Sequence, residues 1–490
     1  MKLNELIKQA LPFFREPVPA LDVQGISMDT RKTEDGDLFV CIQGTRFDSH
    51  ELVGEAEAQG AVAIIAEKPV NTTLPVLLVN DSRTALAQVA NAFFGYPSDA
   101  LHLTGVTGTN GKTTTTYIIQ SIYECHAQKT ATMGTVGLRI GEATYPLPNT
   151  TPESLTVQQS LRQMMNEGVE RAVMEVSSHA LVEGRTRGCQ FNVAVFTNLS
   201  QDHLNFHSSM EAYKDAKRLL FSSLPAWQKD VSETYAVLNV DDPVFSSFRN
   251  VTQAAILTYG IRQKADVMAK DLSLQGHGTS FTLVTPEGTC KVTLPLAGTF
   301  NVYNTLAAAA ACYAGGVAIT EIKAGLERIQ GVPGRFELVD AGQGFPVIVD
   351  YAHTPDSLKN VLQTARELTK NRLLVVCGCG GDRDRTKRPK MAQVAVHYAE
   401  VAIFTNDNPR TESPEQIFSD MIEPLDESKH QFTVIEDRRE AIYRAINDAQ
   451  EGDVILIAGK GHETYQIIGD HTVHFDDREE AREALKERLR

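Results

Sequence analysis

Three features of the sequence predict an α/β protein of three domains. Short apolar runs alternate with helix-patterned stretches along the chain. Its 490 residues suffice for about three cores of ~150 residues each. The stretch 101–116, LHLTGVTGTNGKTTTT, reads as a strand, a glycine-rich phosphate loop and a helix. The units expected are a small N-terminal α/β domain over 1–98, a central P-loop ATPase-like domain with a mostly parallel sheet over 99–333, and a C-terminal Rossmann-like domain over 334–490.

In chain order, residues 1–98 give a leading helix, strands in DVQGISMDTR and DLFVCIQG, a helix through 51–59, strands AVAIIAE and VLLV, and a helix through 85–94. The turn residues Thr30, Thr45, Arg46 and Phe47 could hold a polar ligand, although such residues also populate ordinary turns. GYPSD at 95–99 punctuates the chain as a linker.

The phosphate loop follows. Gly108 and Gly111 leave backbone N–H groups free to turn toward phosphate oxygens, and Lys112 supplies a cation for the terminal phosphates. A threonine hydroxyl from the row beginning at Thr113 and Thr114 can reach Mg²⁺ at the positive end of the helix. Val106 stands where a standard loop has glycine, so Gly105 or Gly108 must take that part.

Strand-like runs at 171–176, 191–197 and 235–240 continue the parallel pattern, and ligands bind outside the carboxyl ends of such strands. Polar clusters stand there: EVSSH from Glu175, TNLSQDH ending at His203, and NVDD. Glu175 directly ends an apolar run, as a carboxylate serving a nucleotide-bound Mg²⁺ should. A lone histidine such as His203 is more often structural, and Lys217 by itself reads as a solvated helix lysine. The pattern then changes to a hairpin over 273–296 and an Ala-rich helix with Asn301 and Asn304 on its first turn, as caps or as ligand contacts.

Beyond 331–335 a second α/β unit has strands near 346–351, 372–377, 401–405, 432–435 and 453–458. Their ends carry DYAH, GCGGDRDR, NDNPR and GKGHE. Cys377 and Cys379 lack a second pair to complete a zinc site and read as buried and inert; the seven cysteines form no disulfide framework.

A net charge of −15 with no basic block argues against nucleic acid as a partner. No run approaches a membrane span, and the first residues are too polar for a signal peptide, so a cytoplasmic protein is expected.

Together TGTNGKTTT, EVSSHAL, TNLSQDHLNFH, FNVYN, PGRFE, DYAHTP, GGDRD, DNPRTE and GKGHE resemble the Mur ligase family along essentially the whole chain. The resemblance implies ATP-dependent addition of meso-2,6-diaminopimelate to the D-glutamate side chain of UDP-N-acetylmuramoyl-L-alanyl-D-glutamate, through an acyl phosphate, by a monomer that uses Mg²⁺. Lysine addition and a folate polyglutamate synthetase-like ligase are the alternatives. By resemblance Gly108, Thr109, Asn110, Gly111, Lys112, Thr113 and Thr114 cradle ATP, joined by Asn301, Arg335, Asp350 and His353. Thr113 and Glu175 serve one metal ion, and His203 with a carbamylated Lys217 a second; Lys112, Glu175, His203 and Lys217 form the catalytic set. The muramoyl dipeptide falls to Thr30, Thr45, Arg46 and Phe47 of the first unit and to Asn149, Thr150, Thr151, Ser177, Glu183 and Arg185 of the second. Diaminopimelate falls to Arg383, Asp407, Asn408, Pro409, Arg410, Gly459 and Glu463, with Arg410 offering its planar fork to the carboxylate that lysine lacks.

Overall fold

The structure is a computed structural model that describes all residues except 45–46, 205, 226–233, 276–277, 330, 427 and 429–430. Its first sheet is four-stranded and parallel, running Gly25–Ser27, Asp37–Val40, Ala63–Ala66 and Val76–Leu78 in sequence order. The leading helix Leu3–Ala10 buries Leu3, Leu6, Ile7 and Ala10, the spacing of one helical face, against Leu86, Val89 and Ala90 of the helix Ser82–Phe93. DVQGISMDTR is strand only at Gly25–Ser27; Asp29 accepts from Arg31 N at 3.1 Å and turns Thr30–Lys32 into a short 3₁₀ helix.

Eleven strands form the central sheet. From Val267–Gln275 through Ala255–Gly260, Tyr235–Asn239, Val193–Phe196, His102–Thr107 and Arg171–Glu175 to Thr130–Gly134 the pairing is parallel. Each edge is finished by two antiparallel strands, Gly278–Thr285 with Gly288–Leu294 on one side and Gly137–Ile140 with Ala143–Tyr145 on the other. The phosphate-loop strand therefore lies in the interior, and every residue from Leu103 to Thr107 is buried. One face is covered by Lys112–Cys125 and Thr299–Ala314, whose run Ala307–Ala311 is fully buried and lets the helix approach closely. Ser154–Asn166 and Met210–Ser222 cover the other.

The third sheet runs Glu337–Leu338, Val347–Asp350, Val454–Ala458, Leu373–Cys377, Val401–Phe404 and Phe432–Val434, parallel except for the first pair. The late strand Val454–Ala458 is inserted between two early ones, which gathers the loops after Asp350, Cys377 and Ala458 at one end of the sheet. A small hairpin, Tyr465–Ile468 with His471–His474, stands beside it; nothing in the hydrophobic pattern marked it, since its outer strand is wholly exposed. Cys377 and Cys379 are buried, as the inert reading requires, and burial pushes the Cys379 thiol up to about 12. Among the described residues no helix is long and apolar enough to cross a membrane.

Candidate active site

The loop 108–111 turns on its glycines. Gly108 has φ +152° and Gly111 φ +86°, and a Cβ at either would run into Thr197 Oγ1 or Asn304 Oδ1. Gly105 lies inside the strand under the Phe191 ring, so it is Gly108 that replaces the glycine missing at Val106. The TNLS segment braces the loop: Thr109 N donates to Asn198 O at 2.9 Å, Asn110 N to Asn198 Oδ1 at 3.0 Å, and Thr197 Oγ1 to Asn110 O at 2.7 Å. Thr113 and Thr114 are buried in the first helical turn.

Two lysines converge on this loop. Lys112 Nζ donates to Gly108 O at 2.9 Å and Thr109 O at 2.8 Å, and Lys217 Nζ donates to the same Gly108 O at 2.8 Å. Lys217 is 1% exposed, with its amine 4.5 Å from the Tyr213 ring, which corrects the reading of a solvated helix lysine. Burial, together with the charge of Lys112, holds the Lys217 amine well below its usual range. Burial also lowers Lys112, against the opposing pull of Glu175 and Asp202. Two amines beside a helix N-terminus are arranged for a multiply charged anion.

Glu175 ends its strand next to the loop helix, 2% exposed. Its Oε2 accepts from Thr113 Oγ1 at 3.0 Å and Thr135 Oγ1 at 3.1 Å, and its Oε1 from Thr135 N at 2.9 Å. The Thr113 hydroxyl and this carboxylate are adjacent hard oxygen donors, a set that fits Mg²⁺. His203 sits at φ +55° with Nε2 3.4 Å from Asp202 Oδ2 and its ring 4.8 Å from that of His179. Burial pushes its imidazole down to about 4 despite Asp202, leaving it neutral and able to ligate. Among the described residues no group of three or more His, Cys, Asp or Glu is placed to hold a metal alone.

Asn301 is 1% exposed; its Nδ2 donates to Ala297 O at 2.9 Å and its Oδ1 accepts from Asn304 Nδ2 at 3.3 Å. Neither asparagine caps the helix, whose N-cap is Gly298. Asn304, outside the expected ATP set, is the one whose carboxamide oxygen abuts Gly111.

Thr150, Thr151, Ser177, Glu183 and Arg185 form one cluster continuous with Glu175. Thr150 Oγ1 lies 3.1 Å from Thr135 Oγ1, and Thr151 Oγ1 donates to Glu175 O at 2.8 Å and accepts from Ser177 N at 3.0 Å. Arg185 Nη1 donates to Thr151 O at 2.9 Å, and its guanidinium pairs with Glu183 and, at 3.2 Å, with Glu153. Glu153 also pairs with Arg83 at 3.0 Å, tying this cluster to the first unit. Asn149 is exposed at its rim. In the first unit Thr30 Oγ1 donates to Glu55 at 3.0 Å and Phe47 is 78% exposed; Thr45 and Arg46 lie outside the described residues.

The third unit reaches the loop through Arg335. Its Nη2 donates to Thr113 Oγ1 at 3.3 Å, its guanidinium carbon stands 4.8 Å from the Tyr351 ring, and its Nε is buried without a partner. Asp350 accepts from Phe336 N at 2.7 Å and Ala352 N at 2.8 Å; burial raises its carboxyl and Arg335 opposes the rise. His353 is exposed, its Nδ1 2.9 Å from Tyr351 O.

At the same end of this sheet the remaining expected residues gather on three loops. Asp407, Asn408 and Pro409 are buried, and Gly459, at φ +123°, leaves room for Asp407 Oδ2. Asn408 Nδ2 donates to Glu463 Oε2 at 3.1 Å. Arg410 holds φ +52°, clamped by the hairpin through Arg410 N to Ile467 O at 3.1 Å and Gly469 N to Arg410 O at 2.7 Å. Its Nη1 donates to Gly381 O at 2.8 Å, and Arg383 lies exposed across Gly380 from it. Sequence reasoning passed over Arg388. Fully buried, it pairs with Glu412 and Asp420, each at 2.8 Å, and donates to Gly380 O at 3.3 Å, stapling the Arg383 loop to the Arg410 loop.

Residues 22–94 match the "Mur ligase family, catalytic domain" model, 106–312 the "Mur ligase middle domain" and 334–461 the "Mur ligase, glutamate ligase domain". The chain is 53% identical over 488 residues to the UDP-N-acetylmuramoyl-L-alanyl-D-glutamate–2,6-diaminopimelate ligase of Geobacillus kaustophilus, covering 100% of both. It is 51% identical over 489 residues to the ligase of the same name from Bacillus cereus, covering 100% of this chain and 99% of that one. A solved structure of a UDP-N-acetylmuramoyl-L-alanyl-D-glutamate–2,6-diaminopimelate ligase matches with 37% identity and a TM-score of 0.72 over 100% of each chain.

Proposed function

The chain belongs to the Mur ligase family, and from that premise we infer its reaction. It is an ATP-dependent ligase that adds meso-2,6-diaminopimelate to the D-glutamate side-chain carboxylate of UDP-N-acetylmuramoyl-L-alanyl-D-glutamate, in peptidoglycan precursor synthesis. The observation that carries this reading is the full-length identity of about half with ligases of that name. Those relatives take 2,6-diaminopimelate, which sets the lysine-adding and folate-type alternatives aside.

Residue roles follow from the chemistry each group can supply. A carboxylate is a poor electrophile until its oxygen becomes part of a leaving group. One D-glutamate oxygen therefore attacks the γ-phosphorus of ATP, ADP departs, and the acyl phosphate forms. Residues 108–114 hold the phosphates by backbone N–H groups, Lys112 draws the γ-phosphoryl toward the acceptor, and Arg335 closes on it from the third unit, with Asn301, Asp350 and His353 on the nucleotide side. Mg²⁺, when bound, would neutralise phosphate charge; Thr113 and Glu175 would hold one ion, and His203 with Lys217 the other. The lowered Lys217 amine supports its modification: the nitrogen would bond to the carbon of CO₂ and lose a proton, and the carbamate so formed would offer an anionic oxygen.

The nucleophile is the diaminopimelate amine. Its nitrogen bonds to the acyl carbon, its proton leaves, and phosphate is expelled to leave the amide. Arg383, Asp407, Asn408, Gly459 and Glu463 receive the amino-acid head group, Pro409 shapes the turn, and Arg410 takes the distal carboxylate. The muramoyl dipeptide spans Thr30, Thr45, Arg46 and Phe47 of the unit 1–98 and the cluster from Asn149 to Arg185 of the unit 99–333; residues 334–490 bring the diaminopimelate amine. The reading carries a cytoplasmic monomer.

ATP-dependent phosphate release with the UDP-dipeptide, comparing meso-diaminopimelate with L-lysine, tests it. Turnover with diaminopimelate and a product heavier by that residue is expected; turnover with lysine alone contradicts it.

A further inference from the structure

Lys460 has no part in the reading above, yet it is among the most deeply buried charged residues of the chain, with 0% exposure. Its Nζ donates to Asn408 Oδ1 at 3.1 Å and to Glu463 Oε2 at 3.4 Å, and it lies 5.6 Å from the centre of the Tyr465 ring. Both hydrogen-bond partners are residues of the amino-acid pocket. Burying an amine carries a desolvation cost that a methionine of similar length would avoid, so shape alone does not account for a lysine here.

What the amine does locally follows from counting donors. Asn408 Oδ1 accepts from Lys460 Nζ and also from Ile467 N, at 3.0 Å. Two donors on one atom fix that atom as the oxygen, and the amide nitrogen is thereby turned to Glu463, where Nδ2 donates to Oε2 at 3.1 Å. Lys460 and Asn408 thus both land on Oε2 of Glu463, and among the described residues no hydrogen bond falls on Oε1. Glu463 keeps 16% of its side chain exposed.

We propose that Lys460 is a positioning residue of the amino-acid site, which locks Asn408 and keeps Glu463 an oriented carboxylate whose second oxygen receives an ammonium group of the incoming amino acid. The inference rests on the reading of this pocket as the diaminopimelate site.

The charges facing Glu463 explain why a cation is needed. Burial and the neighbouring Asp407 raise its carboxyl, while Lys460 and the Asn408 amide oppose the rise; Tyr351 and Tyr465 are the other titratable groups that face it. Without Lys460 the carboxyl would hold its proton to higher pH, and a neutral acid attracts an ammonium weakly.

The test is the pH profile of kcat/KM for meso-diaminopimelate in the wild type, Lys460→Met, Lys460→Gln, Glu463→Gln and the Lys460→Met/Glu463→Gln double variant, with the KM for ATP read in parallel. Lys460→Met should raise the KM for diaminopimelate about tenfold or more, leave that for ATP within about twofold, and move the acid limb of the profile to higher pH. Lys460→Gln retains a donor in the same space without the charge and should show the same displaced limb; it is the variant read if Lys460→Met does not fold. With Glu463→Gln already present, Lys460→Met should add clearly less than it costs in the wild type, since one of the two groups through which it acts is gone. Effects that multiply in the double variant, an acid limb unmoved in Lys460→Gln, or equal losses for ATP and diaminopimelate would overturn the proposal. A wild type inactive with diaminopimelate would instead overturn the reading of the pocket itself, and the proposal with it.

Discussion

Arg335 Nη2 donates to Thr113 Oγ1 across 3.3 Å, so the third unit touches a hydroxyl that also bonds Glu175. On the proposed reading, phosphate, metal and domain position would therefore meet at a single side chain. Arg335→Ala removes a charge-assisted contact worth ~1.5–3 kcal/mol and should lower kcat/KM for ATP by about 10- to 150-fold, with little change in the thermal midpoint. Steady-state kinetics with ATP varied, beside a melting curve, checks this.

Thr135 orients Glu175 twice, through its N–H at 2.9 Å and its hydroxyl at 3.1 Å. Groups that orient a metal ligand are worth ~10- to 100-fold in metal affinity. Thr135→Val should raise the Mg²⁺ concentration for half-maximal activity by about tenfold, and Glu175→Gln by more. Mg²⁺ titrations of phosphate release give both values.

Arg410→Lys should weaken diaminopimelate selectively. A point charge replaces a fork that can meet a carboxylate with two parallel bonds, at a cost of ~1.5–3 kcal/mol, and the KM for diaminopimelate should rise about 10- to 150-fold while that for ATP stays put. Competition between diaminopimelate and lysine in one reaction vessel reads the loss of discrimination.

His102 at the start of the phosphate-loop strand should make the fold acid-sensitive. Burial and the nearby Arg171 push its imidazole down to about 3. The unfolded chain takes up that proton near ~6.5, so the neutral folded form is undisturbed above this pH and loses up to ~1.4 kcal/mol per pH unit below it, until about 3. Between pH 7 and 5 the wild type should lose ~2 kcal/mol more than His102→Phe, measured by denaturant unfolding at both pH values.

The parts of the site legible in the sequence are those made by consecutive residues. The phosphate loop is a strand, two glycines and a lysine in one stretch, and Glu175 closes an apolar run, so local pattern and position coincide. Lys217 was not legible from its own neighbours. Asp215 and Arg218 beside it pair on the outer surface, and its burial comes from Gly108, 109 residues earlier. Arg388 and Lys460 were missed for the same reason, because their partners lie on other loops. The hairpin that clamps Arg410 is short and exposed, without the alternation that announces a half-buried strand. Asn301 and Asn304 share a helix turn, and only the close approach of Gly111 tells which of them abuts the loop.

Transfer of the γ-phosphoryl group of ATP to the D-glutamate carboxylate is the step that makes the amide possible. UDP-dipeptide labelled with ¹⁸O at both oxygens of that carboxylate, turned over with ATP and meso-diaminopimelate, tests it directly. The oxygen that bridges carbon and phosphorus in the acyl phosphate leaves with the phosphate. Mass analysis should therefore find one ¹⁸O in each phosphate released and one retained in the new amide. Unlabelled phosphate formed in step with the tripeptide product would contradict the account.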